Sequence, residues 1–186
     1  MFSQKSVWKF NSDIFFKNRG DSVDAFDCII TSIKESGGTI EAVQAAKYLS
    51  RYKGEPTFVS GYRREGLIDI LDVQYTTRAN GNCGMLLVPS KGPLIDIQFA
   101  FDQYSNLYNS SVWKNFLNNH PDVSPNYLGI MLGKEQTDKG MKLIFSYAVR
   151  TCHACDDLAF VDIGYSFTNK GEFIGTYLAG IRDIKQ

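Results

Sequence analysis

The sequence contains no run of about 18 apolar residues, so no membrane-spanning helix is read from it. Its first twenty residues lack the unbroken apolar core of a secretory leader, because Phe2, Val7, Trp8, Phe10, Ile14, Phe15 and Phe16 are interrupted by Lys5, Lys9, Asn11 and Asp13. As written, the chain is expected to be cytoplasmic; export stays open if a leader has been removed or a non-hydrophobic address is used. Neither charge is in excess, since 20 Lys and Arg face 20 Asp and Glu. No net field draws such a chain to a phosphate backbone, and no nucleic-acid partner is expected. Arg63-Arg64 is the single adjacent basic pair. Four cysteines are too few and too unevenly spaced for a disulfide-dense scaffold. The glycine-rich dinucleotide and phosphate loops, the G-x-S-x-G elbow and the H-E-x-x-H zinc motif are all missing, which removes the most readable enzyme classes; no cofactor is expected. Repeats and Pro-, Gly- or Ser-rich linkers are missing too, so residues 1–186 are read as one domain.

What is present is ordinary globular material, with 44% hydrophobic, 22% charged and 13% aromatic residues in a chain long enough to bury roughly 70% of its unfolded surface. Val23, Phe26, Ile29, Ile30 and Ile33 recur at helical spacing behind Asp21 or Ser22 as cap, and Gly37-Gly38 ends the run. Thr39 can cap a second helix with the stripe Ile40, Val43, Ala46 and Leu49, flanked by Tyr48 and Tyr52 and closed by Gly54 and Pro56. The two should pack as a helical hairpin. Cys28 inside the first is read as a buried structural thiol.

Strand signals begin at Glu65. Leu67 to Val73 and Met85 to Val88 make a hairpin, and Leu94 to Phe99 a third strand. The segment from Phe101 to Asn118 reads as one helix or two short ones. Tyr127 to Leu132 and Lys142 to Arg150 flank a polar turn from Lys134 to Gly140, and Ala159 to Phe167 pairs with Glu172 to Leu178 through Asn169-Lys170-Gly171. The fold class is therefore α+β, an N-terminal helical hairpin packed on a mainly antiparallel sheet.

The chemically pointed feature is the loop Cys152-His153-Ala154-Cys155, placed between two strands so that both sulfurs emerge at one end of a sheet. Two thiols at this spacing can form a disulfide, exchange disulfides, or give two ligands to a soft metal. Redox work needs an exposed thiol of lowered pKa; His153 and Arg150 are nearby cations, but the residues after Cys155 read as strand rather than as the helix start that favours a thiolate. Zinc would need Cys83, His120, His153 or an aspartate to complete the site, and no metal is expected. The pattern is not a c-type haem attachment, because Asp156 stands where that motif needs His. The pairs Asp69 with Asp72, Asp96 with Asp102, and Asp156 with Asp157 are read as solvated surface.

Two resemblances add to this. Asn80-Gly81-Asn82-Cys83-Gly84 resembles the nucleophile region of ovarian-tumour-type deubiquitinases, which carry Gly-Asn-Cys before a helix; that implies Cys83 as nucleophile with His120 or His153 as base. Here Met85 to Val88 reads as a strand, and hairpin turn chemistry accounts for the Asn and Gly residues. Ile144 to Phe173, about thirty residues around the Cys-His-Ala-Cys loop, resembles a motif in uncharacterised bacterial proteins. That resemblance implies a bacterial source and a structured cysteine loop. The expected function is a binding or accessory protein, acting on an unknown protein or small-molecule partner, with a structural or redox-responsive Cys152–Cys155 loop. The alternative is a thiol-disulfide redox protein using Cys152 and Cys155.

Overall fold

The computed structural model describes residues 2–19 and 24–184. The chain has an α+β fold with antiparallel sheets, and its backbone packs into two compact units, Met1–Glu65 with Asp69–Val88, and Gly66–Ile68 with Pro89–Gln186.

The first unit contains α1 (Ser12–Asn18), α2 (Ala25–Glu35), α3 (Ile40–Lys53), β1 (Thr57–Glu65), β2 (Ile68–Tyr75) and β3 (Cys83–Val88). Asp24 starts α2 by accepting from Phe26 N, and Thr39 starts α3 by accepting from Ala42 N, each satisfying an end N–H that the helix cannot. The expected caps Asp21 and Ser22, with Val23, lie outside the described residues. Gly54 ends α3 in the left-handed conformation, φ 71°. Trp8, Phe15, Ile29, Ile33, Ala46 and Phe58 form the core, with Ile30 buried beside them. Cys28 is buried there as well; its Sγ donates to Phe15 O at 3.6 Å, and burial pushes the thiol pKa up. β2 and β3 pair antiparallel, with Ile70 opposite Leu87, and β1 lies on the other side of β2.

Three expectations need correction in this unit. Ile40 is 75% exposed at the start of α3, and the buried stripe is Ala42, Ala45, Ala46 and Leu49. Strand β1 was not anticipated, because Gly61 and Arg63-Arg64 interrupt its apolar pattern. Those residues fit the neighbouring strand instead. A Cβ on Gly61 would fall 2.4 Å from Asp72 Oδ2, Arg63 Nη1 pairs with Asp72 at 3.2 Å, and Arg64 Nε with Asp69 at 2.6 Å. Asp69 is thus not solvated surface: it is 5% exposed and also accepts from Tyr62 OH at 2.9 Å.

The second unit contains β4 (Ile95–Asp96), α4 (Ala100–Gln103), α5 (Ser105–Tyr108), α6 (Ser111–Asn119), β5 (Ser124–Pro125), β6 (Ile130–Thr137), β7 (Gly140–Arg150), β8 (Ala159–Thr168) and β9 (Phe173–Asp183). β7 pairs antiparallel with β5, β6 and β8, and β8 with β9. Leu143, Phe145, Tyr147 and Val149 alternate along β7 and are buried, as are Val161, Ile163, Tyr165 and Phe167 on β8, so the period-two pattern fills one core face. Gly140 opens β7 at φ 148°, where a Cβ would fall 1.9 Å from Phe167 O, so only glycine fits.

The expected strand Leu94 to Phe99 shrinks to Ile95–Asp96, because Asp96 Oδ1 accepts from Gln98 N at 2.8 Å and turns the chain. The expected polar turn Lys134 to Gly140 is mostly strand: Lys134 to Thr137 pair with Leu143 to Gly140, and only Asp138-Lys139 turn. An outer strand tolerates polar residues on both faces, which hides it from a hydrophobic pattern. The segment after Phe99 forms three short helices rather than one or two.

Candidate functional site

The connection from β7 to β8 carries the cysteine loop, as expected, and Cys152 and Cys155 form a disulfide. Cys155 N donates to Cys152 O at 3.2 Å, so backbone and sulfur close the same tight turn. Arg150 fixes its base: Nε pairs with Asp157 beyond the turn, and Nη1 donates to His153 O at 3.1 Å. Cys152 and His153 are exposed, and Cys155 is half-buried.

The His153 ring stacks on Tyr127 (centroids 6.1 Å apart, planes 19°), and Tyr127 stacks on Phe99 (5.7 Å, 28°). Tyr127 is held from both ends. Asn126 N donates to Ala148 O at 2.7 Å, and Gly129 lies against the Tyr147 ring, where a Cβ would come within 2.5 Å of Cζ. Tyr147 is itself fixed, because its hydroxyl donates to Ile97 O at 2.7 Å and accepts from Tyr165 OH at 3.0 Å. Burial raises both phenol pKa values, so both stay protonated donors at neutral pH.

Phe99 stands apart. At φ 54°, ψ 41° it is the one non-glycine residue with positive φ among the described residues, a conformation costing about 1–3 kcal/mol. Its backbone is fully used there: N–H donates to Tyr127 O at 3.0 Å, and C=O accepts from Asp102 N at 3.0 Å and Gln103 N at 3.1 Å. Its side chain is nevertheless 48% exposed.

These residues surround a cleft of about 430 Å³, within the usual range for small-molecule sites. One wall comes from α4 to α6 and the residue before them, with Phe99, Asp102, Tyr108 and Trp113. The other comes from Tyr127, Arg150, Cys152 and His153. Trp113 is 1% exposed, packs on Phe101 at 4.7 Å, and its Nε1–H has no hydrogen-bond partner among the described residues.

The arrangement bears unequally on the chemistries open to it. For thiol exchange, Cys152 is an exposed residue, but no helix starts after Cys155, Arg150 is engaged by Asp157, and the His153 ring lies on Tyr127. For metal binding, both thiols are in the disulfide, and no cluster of three or more metal-binding side chains occurs among the described residues. Cys83 is exposed and opens β3 opposite Gln74, so the helix required by the deubiquitinase resemblance is replaced by a strand. His120 ends α6, its ring on Phe116 at 4.6 Å. For reversible binding, the cleft offers exposed rings beside a carboxylate.

Of the residues in and beside the cleft, sequence reasoning singled out Cys152, His153, Cys155 and Arg150 and read Asp102 as solvated surface; it gave no site role to Phe99, Tyr108 or Tyr127. The available signal was the aromatic density on either side of α4 to α6; nothing in it says which rings stay exposed. No family model, curated protein or solved structure matches this chain. No helix among the described residues is long and apolar enough to cross a membrane.

Proposed function

We propose that the chain is a ligand-binding protein whose site is the cleft of the second unit, with the Cys152–Cys155 loop as a redox-responsive rim. The observation that carries this reading is Phe99. Were that position only a turn, glycine would serve without strain; were its ring only for packing, it would be buried. A strained residue with a half-exposed ring, clamped to Tyr127 by stacking and by a backbone hydrogen bond, makes sense as a contact surface kept ready for something else. Reduction by a dithiol would add two electrons and two protons to the disulfide, give two thiols, oxidise the dithiol to its own disulfide, and free the turn that presents His153. Such a disulfide persists in an oxidising compartment, so the closed rim belongs there rather than in the cytoplasm.

The second reading, a thiol-disulfide redox protein, is favoured by the exposure of Cys152 alone. A small-fragment screen followed on the backbone amides of isotope-labelled protein separates the two. The binding reading expects saturable shifts clustered at Phe99, Asp102, Tyr127 and His153. Rapid disulfide exchange with a test dithiol, without fragments gathering at those residues, would transfer the conclusion to the redox reading.

A further inference from the structure

Charge around the cleft is unevenly matched, and the mismatch says what class of ligand fits. The guanidinium of Arg150 is met by Asp157. The Asp102 carboxylate, which also lines the cleft, is exposed and makes no hydrogen bond or ion pair among the described residues, and Asp156 is exposed beside the disulfide. The uncompensated charge is therefore negative. The most exposed Phe and Tyr rings that line the cleft are Phe99 at 48% and Tyr108 at 57%, and aromatic faces carry the negative end of the ring quadrupole. An anion entering here would meet a carboxylate and electron-rich rings. A neutral ring would stack but leave Asp102 unanswered. A soft organic cation satisfies both, because ring faces attract an alkylated ammonium without stripping a tightly held hydration shell, and a carboxylate supplies the counter-charge.

We infer that the cleft takes an organic cation, an alkylated ammonium group seated against Phe99 and Tyr108 with Asp102 as counter-charge. This inference rests on the cleft being a binding site.

Three probes of one shape and different charge test it on the whole oxidised chain: choline, 3,3-dimethylbutan-1-ol and 3,3-dimethylbutanoate, each titrated while the amides of Phe99, Tyr127 and His153 are followed. Choline should bind about tenfold tighter than the neutral alcohol, with the carboxylate weakest. Asp102→Asn should keep the spectrum of a folded chain and erase most of the preference for choline. The inference fails if the alcohol or the carboxylate binds as tightly as choline, or if Asp102→Asn leaves the preference intact. If none of the three binds while other fragments shift the same amides, the cation class is wrong and the binding cleft stands. If no fragment of any charge binds there, both fall.

Discussion

In the first unit, several of the charged and polar groups that break the apolar pattern meet a partner. Arg63 meets Asp72, Arg64 meets Asp69, Arg78 meets Glu55, and the Trp8 Nε1–H donates to Ser36 Oγ at 2.7 Å. In the second unit the sheet is equally complete, but around the cleft the rings of Phe99 and Tyr108 and the carboxylate of Asp102 are left facing water, and one residue is held in a strained backbone conformation. The first unit also leaves apolar side chains in water, with Ile40 at 75%, Phe16 at 61% and Tyr48 at 54%; what it lacks among the described residues is a non-glycine residue at positive φ. The difference between the units is the strained Phe99 beside the cleft, and the proposed binding site rests on it.

The largest expected effect concerns the frame of the second unit rather than its cleft. Gly140→Ala must move either the β7 backbone or Phe167 O, and should lower unfolding free energy by about 4 kcal/mol, read as a denaturant midpoint. An unchanged midpoint would show that β7 and β8 do not meet in this register.

In the first unit, Asp69→Ala leaves the Tyr62 hydroxyl and Arg64 without their buried acceptor and should cost about 1–3 kcal/mol. A neutral result would remove Asp69 from the set of answered charges and weaken the contrast between the units.

How much of this was legible beforehand follows the same division. Helices α2 and α3, the β2–β3 hairpin and the long strands β7 and β8 were readable because each buries one regular face. In the α3 stripe Ala46 and Leu49 are buried as expected and Val43 packs against the core, but Ile40 ends up in solvent and Ala42 and Ala45 take buried places, because small alanines carry less hydrophobic signal than Ile40. β1 was hidden because its arginines are paired across the sheet, which no single-strand pattern reveals. The disulfide loop was legible because two residues of spacing leave its sulfurs little room to part. The rest of the cleft was not, because Phe99, Tyr108 and Tyr127 are brought together by tertiary structure, and a left-handed phenylalanine breaks the local rule by which turns are recognised.

A pH scan sharpens the account of how Tyr127 is supported. The buried Tyr147 and Tyr165 phenols have pKa values raised above their ordinary value of about 10. The unfolded chain therefore releases these protons first on raising pH. Their contribution to stability is fully present below about pH 10 and is lost as pH climbs towards the folded values. Tyr147→Phe should flatten that alkaline decline, while leaving Ile97 O without its donor at neutral pH. An identical alkaline slope in the variant would contradict the buried pair.

The smallest expected change in stability comes from Phe99. Phe99→Gly relieves backbone strain but loses a stacked ring worth about 0.5–1.5 kcal/mol, so the two nearly cancel, whereas Phe99→Ala keeps the strain, loses the ring and should be the less stable variant. Both should lose ligand binding. Stability ranked Ala above Gly, as in an ordinary turn, would mean that Phe99 is not strained.

The coupling of loop and cleft is the centre of the account, and one comparison addresses it: the affinity of a single cleft-binding fragment for the oxidised chain and for the Cys152→Ser, Cys155→Ser double variant. With the disulfide closing the turn that carries His153 against Tyr127, the oxidised chain should bind about tenfold tighter, a difference of about 1.4 kcal/mol. Equal affinity for the two would contradict it, leaving a cleft that binds and a disulfide that has no part in the binding.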